Sequence, residues 1–200
     1  NEKNIGLLNI INHFNKDGNT LIIDGGDTIQ GSPFTNYLSN SKFYVHPLAT
    51  IMNAGGYDFI TLGNHDFNYG KEYLKKYLNN LNATCLCANV VDKTNELPIF
   101  PYKIKTMENG LKVGIIGFTT DFINRWERPE NIKDIDITDT FDSVKKYYET
   151  VKEQCDILVG VYHGGFEYDL ESHKQKKILL IKYVRNLILI YFLQVISTFL

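Results

Sequence analysis

The stretch DFITLGNHDFNYG, residues 58–70, joins a short apolar run to a cluster of polar side chains. Its first half, DFITLG, is rich in β-branched and aromatic residues and ends at glycine, which predicts a short buried strand. Asn64, His65 and Asp66 follow directly, so the strand can hold them rigidly at its carboxyl end. Four consecutive residues of this kind, Gly-Asn-His-Asp, favour a functional loop over a helix-capping turn, which is the alternative.

Polar residues follow two further apolar runs in the same way. Residues 20–24, TLIID, predict a buried strand that ends in a glycine pair and Asp27. Residues 156–165, DILVGVYHGG, predict a last buried strand with His163 near its end. A single Gly-Gly-Asp is usually a turn, and a single histidine at a strand end is usually structural. These loops therefore indicate a functional site only when they occur together. Loops at the carboxyl ends of strands are where α/β folds place ligands.

The rest of the chain alternates between helical and extended patterns. Apolar residues at helical spacing and capping signals predict four helices, at residues 4–16, 46–54 and 70–81 and after a cap at Asp139. Further strands are predicted at residues 84–91 and in a hairpin that turns at Asn109-Gly110. This order of elements predicts a layered α/β fold.

The amino-acid composition of the chain limits the kinds of molecule that it can be expected to bind. The 200 residues carry a net charge of −2, so no basic field indicates binding to a nucleic-acid polymer. A small anionic substrate stays possible, because bound metal ions supply positive charge that composition does not show.

The three cysteines lack zinc-site spacing, which predicts buried strand thiols. His13 and His46 are expected at the surface or at helix caps. The chain lacks a recognisable signal peptide, but it does not begin with Met either.

The residue types in the three loops suit a divalent metal. Aspartate, asparagine and histidine together are typical ligands of Zn²⁺, Mn²⁺ or Fe²⁺. A carboxylate can bridge two ions through its two oxygens. Two such ions activate a water molecule and polarise a phosphoryl oxygen. The loops therefore indicate metal-assisted hydrolysis as a candidate chemistry.

Taken together, GDTIQGSP, GNHDFNYG and YHGGFE are similar to motifs of the calcineurin-like metallophosphoesterase superfamily. The chain resembles its 5′-nucleotidase and 2′,3′-cyclic-nucleotide 2′-phosphodiesterase branch over residues 5–172. The resemblance implies a partial four-layer αββα metallophosphatase sandwich, an α/β fold. It also implies hydrolysis of nucleotide phosphoesters by metal-activated hydroxide, with two divalent ions (Zn, Mn or Fe). An extracytoplasmic or cell-wall-associated location in a bacterium is a further implication.

The same resemblance assigns roles by position. Asp27 is expected to bridge the two metals, and Asn64 and His163 to bind one of them. His65 is expected to contact the phosphate and to protonate or stabilise the leaving oxygen, with Asp66 orienting its ring. These five residues are the predicted site.

The sequence departs from the family pattern in two places. The Asp-x-His motif that opens family members is absent, as is the later Gly-His-x-His motif. We therefore expect weak metal binding, and the alternative function is a catalytically inactive fragment. Residues 1–172 are expected to form a partial domain, truncated at both ends. The apolar tail, residues 173–200, is interpreted as an out-of-frame product, with a core helix or a membrane helix as alternatives; membrane association is not favoured.

Overall fold

The computed structural model describes residues 6–165 and, for the backbone alone, residues 191–195. The helices are α1 Leu7–Ile11, α2 Pro33–Ser39, α3 Pro47–Ala54, α4 Lys71–Asn79, α5 Ile123–Trp126 and α6 Thr140–Lys152, with a 3₁₀ helix at Asn64–Phe67. The strands are β1 Ile23–Asp24, β2 Phe59–Ile60, β3 Thr84–Leu86, β4 Val90–Asp92, β5 Ile99–Phe100, β6 Tyr102–Thr106, β7 Lys112–Thr119, β8 Ile135–Ile137, β9 Ile157–His163 and β10 Tyr191–Val195.

The first sheet is parallel and has the order β1-β2-β3-β5. Its strands are short, and neighbouring side chains point to opposite faces. Ile60 and Cys85 pack into a core that also contains the buried faces of α3 and α4. Phe59 and Leu86, one position away, belong to a different core on the other face.

The second sheet has the order β10-β9-β7-β6. Strands β10, β9 and β7 are parallel, while β6 and β7 form the antiparallel hairpin predicted around Asn109-Gly110. Ile116 packs with Val144 and Tyr148 of α6 on the outer face. Ile115, the preceding residue, faces the core shared with Phe59 and Leu86.

These three cores define four layers. Helices α3 and α4 cover the first sheet, the two sheets face each other across a core of Phe59, Leu86 and Ile115, and α6 covers the second sheet. The predicted αββα sandwich is therefore confirmed, because each sheet buries one face against helices and the other against its partner sheet.

Several predicted boundaries were wrong. The helix expected at 4–16 is described only at Leu7–Ile11, where it buries no residue and has no side-chain cap. The strand expected at 84–91 divides, because Val90–Asp92 turns away to pair with β8 in a separate two-stranded sheet. Helix α2 was not predicted, although Ser32 and Thr35 form a capping box ahead of Pro33.

The predicted tail lies mostly outside the described residues, which exclude 166–190 and 196–200. At 191–195 the backbone forms β10, parallel to β9, so neither helical interpretation holds for those five residues. The proposed origin of residues 173–200 stays a prediction. Among the residues described, no helix is both long enough and apolar enough to cross a membrane.

Candidate functional site: the junction of the two sheets

The predicted loops meet where strands of both sheets end. Strand β1 leads into Gly25 and Gly26, β2 leads into Gly63, and β9 ends at His163. Gly26 has φ +95°, and a Cβ built on it would lie 2.3 Å from the Gly63 nitrogen. The first two loops are thus in direct backbone contact, and only glycine at position 26 permits both the conformation and the approach.

Asp27 and His163 face each other across the junction. His163 Nε2 lies 3.1 Å from Asp27 Oδ2, and the side chain of His163 is 1% exposed. The other ring nitrogen, Nδ1, lies 2.7 Å from the carbonyl oxygen of Gly25. Since a carbonyl only accepts, Nδ1 must carry a hydrogen, and in the neutral ring Nε2 keeps the lone pair that faces Asp27.

Both facing atoms are orphans among the described residues. Asp27 Oδ2 and His163 Nε2 are buried and have no other hydrogen-bond partner there; they face only each other, at 3.1 Å. Burial alone would raise the pKa of Asp27, but the adjacent His163 ring outweighs it and lowers that pKa. Burial would likewise lower the pKa of His163, yet Asp27 reverses the shift and raises it. Each member of the pair therefore stabilises the charged form of the other.

Gly63 lies directly against both side chains of this pair. A Cβ at Gly63 would lie 2.1 Å from Asp27 Oδ1 and 2.6 Å from His163 Cε1. Asn64 is the next residue and begins the 3₁₀ helix, so it belongs to the same junction. Asp27 itself has φ +63°, a conformation that non-glycine residues adopt rarely and mostly where the surroundings impose it.

Asp66 fastens the two loops of the first sheet together. Its Oδ2 accepts hydrogen bonds from the backbone nitrogens of Asp27 and Gly63, both at 2.8 Å. Its Oδ1 accepts a third, from Ile29, at 3.3 Å. Burial, with a smaller contribution from the charge of Asp27, raises the pKa of Asp66 to about 7.

His65 has a different ring partner from the one predicted. Its Nδ1 lies 2.7 Å from Oδ1 of Asn68, while Asp66 is turned toward the backbone of the two loops. The reason is the 3₁₀ geometry, in which side chains three residues apart lie above one another. The expectation that Asp66 orients the ring at Nδ1 is thus corrected in favour of Asn68. The i, i+3 spacing could have indicated it.

The backbone of His65 also joins the site. Its N–H donates to Asp27 Oδ1 at 2.8 Å, while the N–H of Asp27 donates to Asp66. The structure therefore brings together Asp27, His163 and the backbone of the segment that carries Asn64, His65 and Asp66.

The potential metal ligands at the junction make up part of a metal site. The orphaned carboxylate oxygen and imidazole nitrogen are a hard and a borderline ligand, each with a free lone pair, as a divalent cation requires. The hydrogen bond from His163 to Gly25 is the usual means of orienting a metal-binding histidine. Within residues 6–165 and 191–195, however, no group of three or more His, Cys, Asp or Glu side chains could hold an ion. The described part of the chain thus offers two of these ligands to one ion.

Comparison with known proteins identifies the family. The family model for calcineurin-like phosphoesterases matches residues 4–192. The chain belongs to the calcineurin-like phosphoesterase family. Its relatives are phosphoester hydrolases: it is 32% identical over 168 residues to the 2′,3′-cyclic-nucleotide 2′-phosphodiesterase/3′-nucleotidase of Salmonella typhimurium, covering 78% of this chain and 26% of that protein. It is 34% identical over 178 residues to the trifunctional nucleotide phosphoesterase protein YfkN of Bacillus subtilis, covering 80% of this chain and 12% of that protein.

Solved structures of this calcineurin-like family share the fold. The crystal structure of YfkN from Bacillus subtilis matches with a TM-score of 0.71 and 30% identity, covering 88% of this chain and 57% of that one. The 5′-nucleotidase precursor of Thermus thermophilus matches with a TM-score of 0.63 and 26% identity, covering 80% of this chain and 30% of that one. The chain spans about a quarter or less of the length of the first curated relatives it matches.

Proposed function

We propose that this chain carries a metal-dependent site for hydrolysis of nucleotide phosphoesters, of the 5′-nucleotidase or 2′,3′-cyclic phosphodiesterase type. The observation that supports it most is the buried pair of orphaned atoms, Asp27 Oδ2 and His163 Nε2, at the junction of the sheets. The relatives, named as nucleotide phosphoesterases and nucleotidases, indicate the substrate class.

In this proposal Asp27, His163 and Asn64 would hold a divalent ion, and Asp27 would also serve a second one. Bound there, such ions would supply an acidified water molecule and positive charge beside the phosphoryl group. His65 contacts the phosphate and donates a proton from its ring to the leaving oxygen. Asp66 keeps the loops that carry these groups in contact through its three backbone hydrogen bonds.

The test measures metal and turnover separately. We expect equilibrium dialysis to show Mn²⁺ or Zn²⁺ bound by the chain, phosphate analysis to show hydrolysis of 5′-AMP, and chromatography to show conversion of 2′,3′-cyclic AMP to 3′-AMP. Asp27→Asn and His163→Ala should abolish metal binding and turnover. His13→Ala is the matched control, because His13 is an exposed histidine away from the junction. Metal binding and turnover that survive in both site variants would contradict the proposal.

A second candidate function, an inactive fragment, is favoured by the small ligand set. Within the described residues only Asp27 and His163 present orphaned metal-ligand atoms to each other, and a site with too few ligands binds weakly. Stoichiometric metal with measurable turnover would exclude this candidate, whereas metal binding without turnover at any concentration would support it.

We further propose that the protein acts outside the cytoplasm. Support comes from the Thermus thermophilus relative, which is described as a 5′-nucleotidase precursor. Fractionation of the source cells, followed by detection of the chain with an antibody, tests this location.

A further inference from the structure

The ring of His65 is connected to a distant part of the chain through one amide. Asn68 Oδ1 lies 2.7 Å from His65 Nδ1, and Asn68 Nδ2 donates to Oε2 of Glu127 at 2.5 Å. Glu127 is 59 residues further along the chain, at the end of α5. The amide of Asn68 is therefore held between an imidazole and a carboxylate.

The carboxylate decides which way this amide points. A carboxylate only accepts hydrogen bonds, so the NH₂ group of Asn68 must face Glu127 and its carbonyl oxygen must face His65. A carbonyl oxygen is also only an acceptor, so His65 Nδ1 must carry a hydrogen. In the neutral ring Nε2 then carries the lone pair and is the atom that takes up a proton, which the ring gives to the leaving oxygen in the proposed reaction.

The orientation of the Glu127 carboxylate is itself fixed by two hydrogen-bond donors that cannot act as acceptors. Its Oε1 accepts the backbone N–H of Arg128 at 2.7 Å and Nδ2 of Asn131 at 2.9 Å. The same Asn131 Nδ2 also donates to the carbonyl oxygen of Asn68 at 2.9 Å, so the Asn131 amide is oriented by a backbone acceptor. Two donors therefore face Oε1, and only Oε2 is left for Asn68.

We propose that Glu127 is a positioning residue that orients the Asn68 amide and thereby fixes His65 as the Nδ1–H tautomer. This assignment follows from hydrogen-bond donors and acceptors alone. Its significance for turnover rests on the proposed function, in which His65 Nε2 is the atom that handles the proton.

The substitution Glu127→Gln gives a sharp test, because it keeps the size of the side chain, removes its charge and replaces one acceptor oxygen by an NH₂ donor. The two donors at the Oε1 position hold the glutamine oxygen there, so its NH₂ group faces Asn68. Asn68 must then reverse and present its own NH₂ group to His65 Nδ1. We expect this variant to convert neutral His65 to the Nε2–H tautomer.

Nuclear magnetic resonance of the full chain labelled with ¹⁵N-histidine reads the tautomer directly. Spectra at pH 8.5, above the range where histidines ordinarily titrate, distinguish a protonated from an unprotonated ring nitrogen at each site. The loss of one signal set in His65→Gln assigns His65 among the five histidines. We expect Nδ1–H in the parent chain and Nε2–H in Glu127→Gln. Unchanged Nδ1–H in Glu127→Gln, or Nε2–H in the parent chain, would overturn the proposal.

Two further variants separate this role from a general effect on folding. In the double variant Asn68→Asp with Glu127→Gln, the new carboxylate accepts from both the glutamine NH₂ and His65 Nδ1, so the Nδ1–H tautomer should return. Glu127→Ala removes the acceptor and should give both tautomers in exchange. A failure of the double variant to restore Nδ1–H, or a single Nδ1–H tautomer in Glu127→Ala, would count against the proposal.

Turnover provides a separate readout. If the chain hydrolyses phosphoesters, kcat should fall up to about 100-fold in Glu127→Gln with little change in KM, and the double variant should recover it. Glu130→Gln, an exposed neighbour, is the matched control and should change neither kcat nor tautomer. If the parent chain lacks turnover, the proposed function fails, while the tautomer result still decides the role of Glu127.

Discussion

At the scale of single residues, Gly63 shows how little space the site has. A methyl group there would overlap Asp27 Oδ1 and His163 Cε1, although the backbone of Gly63 itself, at φ −93°, suits any residue. We expect Gly63→Ala to displace these two side chains, to lower stability by about 1–3 kcal/mol and to abolish metal binding. Urea unfolding and metal titration measure the two effects.

Gly110→Ala is the control for this variant. Gly110 has φ +86° but open space around its Cβ position, so alanine there strains the backbone without touching the junction. It should lose stability and keep its metal affinity. Equal loss of metal affinity in the two variants would mean that Gly63 matters through stability alone.

His46 predicts a dependence of stability on pH. It is the N-cap residue of α3, one of the two positions expected for it, but its side chain makes no capping hydrogen bond and is fully buried against Phe43, Tyr73 and Tyr77. Burial, with a contribution from the charge of Lys76, lowers the pKa of His46 to about 4. The unfolded chain takes up a proton near pH 6.5, and the folded chain resists it, so stability falls as pH drops from 6.5 toward 4.

The corresponding experiment compares urea unfolding at pH 7 and pH 5. His46 alone should cost the parent chain roughly 2 kcal/mol between these values. Protonation of Asp66, whose pKa is raised to about 7, stabilises the folded chain over the same range, so the contribution of His46 is the difference in pH dependence between the parent chain and His46→Phe, a substitution that fits the aromatic surroundings. His13→Ala, at an exposed histidine, should show the pH dependence of the parent chain. The same pH dependence in His46→Phe as in the parent chain would contradict the assignment to His46.

At the scale of elements, α6 illustrates a helix start that sequence predicts correctly. Asp139 Oδ1 accepts the backbone N–H of Asp142 at 2.8 Å, and the buried face carries Val144 and Tyr148. Asp139→Ala should lower stability by about 1 kcal/mol, as the loss of a helix cap does. Asp139→Asn keeps an accepting oxygen and should restore most of the loss in thermal unfolding; equal loss in both would assign the effect to charge.

The elements also show which features the sequence could predict. Patterns local to a strand or helix, such as α4, the β6-β7 hairpin and the three loops, were predictable because the signal lies within a dozen residues. The fate of Val90–Asp92 was not, since its pairing with Ile135–Ile137 depends on a strand about 45 residues away. For the same reason the Asn68 contact lay within reach of local reasoning, while the Glu127 contact did not.

At the scale of the whole molecule, the site lies at the junction of the two sheets. Asp27 follows a strand of the first sheet, and His163 ends a strand of the second. The core of Phe59, Leu86 and Ile115 sets how closely the sheets approach, and therefore the 3.1 Å between the two side chains. An ion bound to both groups would add a cross-link between layers that meet through this apolar core and the hydrogen bond from His163 to Gly25.

This placement predicts that metal stabilises the entire fold. An ion that binds only the folded chain adds RT ln(1 + [L]/Kd), about 1.4 kcal/mol at ten times Kd, and the unfolded chain cannot bring together groups 136 positions apart. Mn²⁺ or Zn²⁺ should therefore raise the melting temperature of the parent chain in a concentration-dependent way. Either Asp27→Asn or His163→Ala should remove the increase, because the first replaces the carboxylate by a neutral amide and the second removes the imidazole. His13→Ala should retain the increase in melting temperature. An increase that persists in both site variants would mean that the ion binds away from the junction.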